Sequence, residues 1–236
     1  MPAEHLALEV DGLRFRYGDA AAWVIDVRRL AIKRGEHVLL TGRSGSGKST
    51  LLQLIAGLID PGEGRVSVSG QDVHQLRGAA RDAFRGAHVG MIFQTFNLLQ
   101  GFTAIENVQV AMMFSSIPPR EHRAKAAALL ERLGIERPFA FVEDLSVGQQ
   151  QRVAVARAVA CEPAVVLADE PTASLDPENA AGAMDLIQQV CRERNAALLC
   201  VSHDPSMAAR FPRVESLDQL ASAAAGSAAA VGGRSV

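Results

Sequence analysis

The segment GRSGSGKS, residues 42–49, has the glycine, lysine and hydroxyl spacing that suits a polyphosphate. Glycines allow backbone N–H groups to turn toward an anion, and a helix that follows adds its positive dipole end. We predict that Lys48 reaches the β- and γ-phosphates, that Ser49 ligates Mg²⁺ and that Thr50 lies close behind it. The other residues predicted to bind the phosphates are Gly42, Arg43, Ser44, Gly45, Ser46 and Gly47.

Two acidic residues follow the apolar run VVLA within residues 165–170. Ligands of open α/β sheets gather at the carboxyl ends of strands, so we predict that Asp169 holds Mg²⁺ directly or through water. Glu170 would polarise and align an attacking water. His203 follows a second apolar run, residues 197–202, and is predicted to contact the γ-phosphate. The alternatives are a strand that ends in solvated acids and an ordinary surface histidine.

Two capping patterns mark helix starts near these residues. Asp176 precedes Pro177, which predicts an N-cap followed by proline at the first helical position. LSVGQQQR, residues 145–152, contains no group for acid–base or nucleophilic chemistry, but Ser146 and Gln149 form the S-x-x-Q pattern of a capping box. The helix that starts there would present N–H groups to an anion.

The apolar pattern predicts the elements that position these residues. Alternation from Leu6 to Tyr17 indicates half-buried strands, and residues 36–41 form a strand that enters the phosphate loop. Further strands are predicted at 164–169 and 197–202, separated by a helix over 178–194. Two parallel strands joined by a helix are typical of an α/β protein.

The other segments differ in character. Residues 95–160 are helical in pattern and predict a helical insertion. Residues 75–90 are mixed and polar, and no element is predicted there. Residues 221–236 are small and featureless, which predicts a disordered tail.

Composition excludes several classes of protein. The chain has 236 residues, 48% of them hydrophobic, so it can form a sizeable core. Its net charge of −2 provides no overall positive potential that would attract nucleic acid or an anionic membrane. The three cysteines lack metal-binding spacing and are expected to be buried in a reducing compartment. We find no signal peptide and no apolar stretch near the ~18 residues of a membrane span.

The chain carries, in this order, GRSGSGKST, IFQ, LSVGQQQR, VVLADEPTASLD and VSHD. From about residue 6 to about 215 this closely resembles the nucleotide-binding subunit of ATP-binding cassette (ABC) transporters. The resemblance implies an ATPase that uses ATP and Mg²⁺. It also implies an α/β, P-loop NTPase fold with a mixed core sheet, an N-terminal antiparallel β subdomain and a helical insertion. The ATPase domain would cover residues 1–220.

The resemblance also assigns roles to single residues. LSVGQ is similar to the signature motif, which meets the nucleotide of the opposite subunit, so Ser146, Gly148 and Gln149 would bind ATP in a homodimer. Val147 departs from the pattern, which has glycine there; its N–H can still donate if φ is negative. Tyr17 matches the adenine-stacking aromatic, with a core aromatic as the alternative.

Gln94 matches the glutamine that links Mg²⁺ and water to the insertion, and Asp176 would also contact nucleotide. The catalytic set implied by the resemblance is therefore Lys48, Gln94, Glu170 and His203. The residues implied to hold the metal are Ser49, Gln94 and Asp169.

Several branches of the family remain open. The motifs look most like the lipoprotein-release and macrolide-export group, which includes cell-division cassettes that transmit force. That implies an integral membrane permease as partner and a peripheral place on the cytoplasmic face of the inner (plasma) membrane. The partner is expected to dock near residues 94–99, where Phe93, Phe96 and Leu98 are either contacts or core. A soluble nucleic-acid-associated cassette is the alternative, but near-neutral charge and the absence of heptads or cysteine pairs argue against it.

Overall fold

The computed structural model describes residues 6–18, 20, 22–175 and 177–221. The strands are β1 Leu6–Phe15, β2 Ile25–Lys33, β3 His37–Thr41, β4 Glu63–Val68, β5 Gln71–Asp72, β6 Val89–Ile92, β7 Val165–Asp169, β8 Ala197–Val201 and β9 Arg213–Ser216. The helices are α1 Lys48–Ile55, α2 Gly78–His88, α3 Ala104–Met112, α4 Pro119–Arg132, α5 Val147–Val159, α6 Pro177–Glu193 and α7 Leu217–Leu220. The predicted tail and Asp176 fall outside the described residues, except that Ala221 is described.

The N-terminal sheet is antiparallel, with strand order β2-β1-β4-β5. Its sequence alternates because one face packs on the core and the other faces solvent. Leu8, Val10 and Leu13 of β1 are buried, whereas Asp11 is exposed. The predicted antiparallel N-terminal sheet is therefore confirmed.

The core sheet has strand order β6-β7-β8-β3-β9, and every described pair in it is parallel. The prediction of a mixed core sheet is wrong in this respect. The chain crosses back after β8 through the short 3₁₀ turn Pro205–Arg210, so β9 lies beside β3 in the same direction. β7 and β8 are buried apolar runs, as expected for strands covered on both faces.

The order of the parallel strands brings the predicted chemistry together. β7 pairs with β8 and β8 pairs with β3, so the carboxyl ends of these three strands are adjacent. The phosphate loop follows β3, Asp169 and Glu170 end β7, and His203 follows β8. Because ligands bind at this edge of open α/β sheets, one site can use all three loops.

Helices α3, α4 and α5 lie within the range predicted as a helical insertion. They pack on one another through buried residues such as Val108, Leu130 and Val153. Thr103 caps α3 with a capping box that Glu106 completes. The side chains of Phe96 and Leu98 are buried in the same core, so of the two alternatives they are core residues and not an exposed docking surface.

Helix α2 occupies the polar segment for which the sequence predicted no element. None of its residues is fully buried, although Phe84 packs partly buried against the core, and its overall composition is polar. Within the described residues, no helix is both long enough and apolar enough to span a bilayer.

Candidate functional site

The phosphate loop connects the end of β3 to the first turn of α1. Gly45 and Gly47 have φ of 75° and 95°, which favour glycine. A Cβ on Gly47 would also lie 2.8 Å from Ile25 Cδ1 and 3.0 Å from the Val24 carbonyl oxygen. No side chain caps α1, and its first turn has no acidic residue. The N–H groups at the start of α1 therefore have no described side-chain competitor for an anion.

Lys48 is buried at the base of this loop. Its Nζ donates to the carbonyl oxygens of Gly42 and Arg43, at 2.9 Å each. The Ser46 N–H donates to the Arg43 carbonyl at 3.1 Å, which closes the turn. The backbone of the three predicted residues Gly42, Arg43 and Ser46 thus holds the lysine ammonium and closes the loop.

Ser49 and Asp169 form the candidate metal pair. The Ser49 Oγ donates to Asp169 Oδ1 at 3.1 Å. Burial raises the pKa of Asp169, and the Ser49 hydrogen bond and the Lys48 charge oppose that rise. A hydroxyl and a carboxylate oxygen fit Mg²⁺, which one or two protein oxygens usually hold together with substrate phosphates and water. The donor set therefore fits the predicted ion.

Glu170 and His203 face each other beside this pair. His203 Nδ1 lies 2.8 Å from Glu170 Oε1, and because the carboxylate accepts, Nδ1 is the donor. The Glu170 side chain is 16% exposed and that of His203 is 66% exposed. Glu170 also has φ of 47°, a strained value for a residue with a Cβ, and its N–H donates to the Val201 carbonyl at 3.0 Å. Strain of this kind is concentrated at functional sites.

Tyr17 lies at the outer side of the loop. It is 55% exposed, which excludes a place in the core. Its hydroxyl lies 3.1 Å from Thr50 Oγ1 in α1, and its ring meets Phe15 edge-on at a centroid distance of 4.8 Å. Contacts at the hydroxyl and at the ring therefore hold the Tyr17 side chain next to the phosphate loop.

These groups line one cavity of about 550 Å³. The cavity is bounded by six predicted phosphate-loop residues, from Ser44 to Thr50 without Ser46, and by the other predicted groups Tyr17, Asp169, Glu170 and His203. The structure therefore brings together residues that lie more than a hundred positions apart in the sequence.

The segment around Ser146 does not line this cavity. Ser146 caps α5: its Oγ accepts from the Gln149 N–H at 3.3 Å, and Gln149 Oε1 accepts from the Ser146 N–H at 3.0 Å. The predicted capping box is confirmed. Ser146, Val147 and Gly148 are exposed, and Val147 is the first residue of the α5 helix, without positive φ. The start of α5 therefore faces outward.

Gln94 also lies outside the cavity lining. Its carbonyl accepts from the Ser174 Oγ at 3.1 Å, which ties the segment after β6 to the segment after β7. A second tie joins α5 to the same region, because Gln151 Nε2 donates to the Pro171 carbonyl at 3.0 Å. Sequence reasoning gave no role to Ser174 or Gln151, and no local motif marks either contact. Asp176 cannot be placed, since it lies outside the described residues.

Comparison with known proteins identifies the family. The family model described as ABC transporter matches residues 26–173. The chain belongs to the ABC transporter family.

Two relatives and one solved structure agree with this membership. The ABC transporter ATP-binding protein YtrE of Bacillus subtilis is 44% identical over 180 residues, which cover 76% of this chain and 78% of YtrE. The lipoprotein-releasing system ATP-binding protein LolD of Chromohalobacter salexigens is 38% identical over 217 residues, 91% of this chain and 92% of LolD. A dimeric post-hydrolysis structure of the ATP-binding cassette MJ0796, bound to ADP and Pi, has a TM-score of 0.76. It is 33% identical, and the match covers 89% of this chain and 93% of that one.

Membership confirms the predicted α/β P-loop fold and the prediction of an ATP-binding, ATP-hydrolysing cassette.

The ABC cassette has a second concave surface, which we call the insertion groove. It has a volume of about 310 Å³ and lies between α2, β6, the end of α3 and the end of α5. Its apolar lining includes Leu58, Met91, Phe93 and Phe114. Of the residues expected to dock a partner, Phe93 and Asn97 line this groove.

Proposed function

We propose that the 550 Å³ cavity is the place where this ABC cassette binds and hydrolyses MgATP. The observation that carries the proposal is the convergence of a phosphate loop, a hydroxyl–carboxylate pair and a carboxylate–histidine pair on one cavity. Each pair comes from different loops at the carboxyl edge of the core sheet. Phosphoryl transfer needs mainly positioning and neutralisation of charge, and these groups can supply both.

Each side chain has a distinct role in this proposal. Lys48 and the N–H groups of the loop bind the β- and γ-phosphates, as the helix dipole of α1 favours. Ser49 and Asp169 would hold Mg²⁺, which neutralises phosphate charge when bound. Glu170 orients the attacking water, and the Glu170 carboxylate holds His203 toward the terminal phosphate.

The remaining predicted residues complete the nucleotide site. Tyr17 stacks on adenine, since its ring is exposed beside the loop. Gln94 is proposed to approach Mg²⁺ and the attacking water, with Ser174 holding its backbone. For Asp176, we retain the proposal that it contacts the nucleotide.

A second copy of the chain would complete this site. At the α5 N-terminus Ser146 and Gly148 are exposed, and Gln149 is partly exposed; none of the three lines the cavity of its own chain. A helix N-terminus attracts a phosphate, so the α5 start of one protomer can close over the terminal phosphate bound by its partner. The MJ0796 cassette was solved as a dimer, which supports this arrangement.

We further propose a peripheral place on the cytoplasmic face of the inner membrane, through an integral membrane permease. The name of the lipoprotein-releasing system ATP-binding protein LolD supports lipoprotein release. Export of another substrate and mechanotransmission are the other outputs that we propose. The insertion groove would receive the permease. The ATPase domain is proposed to span residues 1–220 with a helical subdomain over about 95–160, where α3, α4 and α5 lie.

Replacing Glu170 tests the proposed hydrolysis. Glu170→Gln keeps the size of the side chain but removes the charge that orients water, so it should retain ATP binding and trap a dimer. Gel filtration with ATP and Mg²⁺ measures the dimer. Lys48→Ala is the matched control, because it should lose nucleotide binding and stay monomeric. A Glu170→Gln protein that binds ATP but stays monomeric would contradict the proposal.

A further inference from the structure

A buried glutamine of α5 makes a hydrogen bond that the roles of the other residues do not explain. Gln151 is 4% exposed and lies on the buried side of α5, together with Ala154 and Val155. Burial of an amide is unfavourable unless the amide is hydrogen-bonded. A leucine of similar size would avoid that cost, so the hydrogen bond of Gln151 calls for an explanation.

The acceptor of this bond belongs to the residue that follows Glu170. Gln151 Nε2 donates to the Pro171 carbonyl oxygen at 3.0 Å, in a buried contact between α5 and the segment after β7. Proline has no N–H, and its ring fixes φ, so the carbonyl is the one polar backbone group of Pro171. Gln151 therefore holds the residue after Glu170 by the single backbone group that a hydrogen bond can reach.

Glu170 needs to be held because its backbone is strained. Its φ of 47° lies in the left-handed region, which is unfavourable for a residue with a Cβ. Such a residue persists only where its surroundings determine its conformation. The Glu170 N–H donates to the Val201 carbonyl at 3.0 Å, and the Glu170 carbonyl accepts from the Ala173 N–H at 3.1 Å. The Gln151 bond adds a contact just beyond Glu170, and this contact comes from a different helix.

The backbone conformation of Glu170 decides where its carboxylate lies. In the left-handed conformation Glu170 Oε1 lies 2.8 Å from His203 Nδ1, at the cavity proposed to bind MgATP. A change of φ to a negative value would turn the Cβ away from this position. Displacement of a reacting group by about 1 Å can lower a rate about a hundredfold. The hold on Pro171 can therefore affect hydrolysis although Gln151 does not line the cavity.

We propose that Gln151 is a positioning residue for ATP hydrolysis: by holding the Pro171 carbonyl, it keeps Glu170 in the left-handed conformation in which the carboxylate aligns the attacking water. The inference rests on the proposed function, because it takes Glu170 as the residue that orients water. Gln151 belongs to the helix whose start is proposed to meet the nucleotide of the second protomer, so the alignment of Glu170 depends on the position of α5.

Gln151→Leu tests the proposal, since it nearly keeps the volume of the side chain and removes the donor. We expect kcat for ATP hydrolysis to fall about tenfold to about a hundredfold, while the affinity of the monomer for ATP changes by less than about twofold. Slow hydrolysis should also trap the ATP-bound dimer on gel filtration with ATP and Mg²⁺, as proposed for Glu170→Gln. A substitution that merely displaced α5 would instead weaken the dimer, because the Ser146 contact would be lost.

Gln188→Leu is the matched control. Gln188 is 5% exposed, and its Nε2 donates to the Arg210 carbonyl at 3.0 Å, so it is a buried glutamine that holds a different backbone carbonyl. Both variants should lower the urea midpoint of unfolding to a similar extent, because each removes one hydrogen bond of the same kind. Gln188→Leu should nevertheless keep kcat within about twofold of that of the unmodified chain. An equal loss of kcat in both variants would assign the effect to general destabilisation and overturn the proposal.

Two further variants determine whether Gln151 acts through Glu170. Adding Gln151→Leu to Glu170→Gln should lower the residual single-turnover rate by less than about twofold, because the charge that Gln151 positions is already absent. Gln151→Glu carries a carboxyl group that can donate when protonated and cannot donate when ionised. Its rate relative to the unmodified chain should therefore rise as the pH is lowered from about 8 to about 6, since burial raises the pKa of a carboxyl group.

Four results would each overturn the proposal: normal hydrolysis by folded Gln151→Leu, loss of its ATP-dependent dimer, an undiminished effect of Gln151→Leu in the Glu170→Gln background, or a relative rate of Gln151→Glu that does not change with pH. If Gln151→Leu does not fold, the pH profile of Gln151→Glu decides. If neither folds where Gln188→Leu does, Gln151 is a stability contact and the proposal is also overturned.

The Glu170→Gln protein separates this inference from the proposed function. If Glu170→Gln binds ATP but traps no dimer, the proposed function fails. If it traps the dimer while Gln151→Leu hydrolyses ATP normally, only the role of Gln151 fails.

Discussion

Replacing Tyr17 separates recognition of the base from recognition of the phosphates. Stacking of a base on an aromatic ring contributes about 1–3 kcal/mol, so Tyr17→Ala should weaken ATP binding by about 5-fold to about 150-fold. Tyr17→Phe keeps the ring and loses only the exposed contact of the hydroxyl with Thr50, 3.1 Å long. An exposed hydrogen bond contributes about 1 kcal/mol or less, so this variant should weaken ATP binding by about fivefold or less.

Isothermal titration with ATP and with inorganic tripolyphosphate provides the assay. Tripolyphosphate has no base, so both Tyr17 variants should bind it as the unmodified chain does. Trp23 is the single tryptophan and serves as a fluorescence probe that both substitutions leave in place. If Tyr17→Ala weakened the binding of ATP and of tripolyphosphate equally, or weakened the binding of neither, the stacking role would be refuted.

Three further predictions follow from the site and the core. Lys48→Ala should abolish ATP binding while Arg29→Ala, in β2 away from the cavity, leaves it intact; unchanged binding in Lys48→Ala would refute the phosphate-loop assignment. Ser146→Arg should block ATP-dependent dimerisation but keep the affinity of the monomer for ATP. If equilibrium dialysis showed that this affinity is lost, Ser146 would contact the nucleotide of its own protomer, which would contradict the account. Acid should destabilise the fold through His37, whose pKa burial lowers, because the unfolded chain then binds more protons than the folded chain. The stability that the neutral His37 contributes is complete above a pH of about 6.5 and falls as the pH drops toward the folded-state pKa. The urea midpoint of unfolding should therefore depend less on pH in His37→Leu than in the unmodified chain. An unaltered pH dependence would contradict the prediction.

His37 has a physical reason to behave in this way. It is 4% exposed at the start of β3, and its Nε2 has no hydrogen-bond partner among the described residues. Burial is the main cause of its lowered pKa, and Arg192 adds to it. His88 shows the same direction, from burial and Arg34, so His37→Leu should remove only part of the acid sensitivity.

The sequence predicted the parts of the site that local spacing determines. The phosphate loop needs glycines at fixed offsets, and the pair Asp169 and Glu170 ends an apolar run, so both can be detected in a short window. The capping box of Ser146 and Gln149 is equally local. Which strands are neighbours is not local, and the parallel arrangement of β9 beside β3 was therefore missed.

Contacts between distant segments explain the remaining differences. Arg157 and Phe96 are 61 positions apart, and Ser174 and Gln94 are 80 apart, so no periodicity predicts either contact. Phe93, Phe96 and Leu98 are all apolar, and only the packing of α3 and α5 decides that Phe96 and Leu98 are buried while Phe93 lines the groove. α2 was missed for a different reason, since its overall composition is polar and none of its residues is fully buried.

The central claim is that one triphosphate is bound by the phosphate loop of one protomer and the α5 start of the other. Mixing Lys48→Ala chains with Ser146→Arg chains tests it directly, because a mixed dimer would contain one site with both residues intact. In the Glu170→Gln background, we predict ATP-dependent dimers on light scattering after mixing, although neither variant forms them alone. A mixture that stays monomeric with ATP and Mg²⁺, while the Glu170→Gln parent dimerises, would contradict the claim.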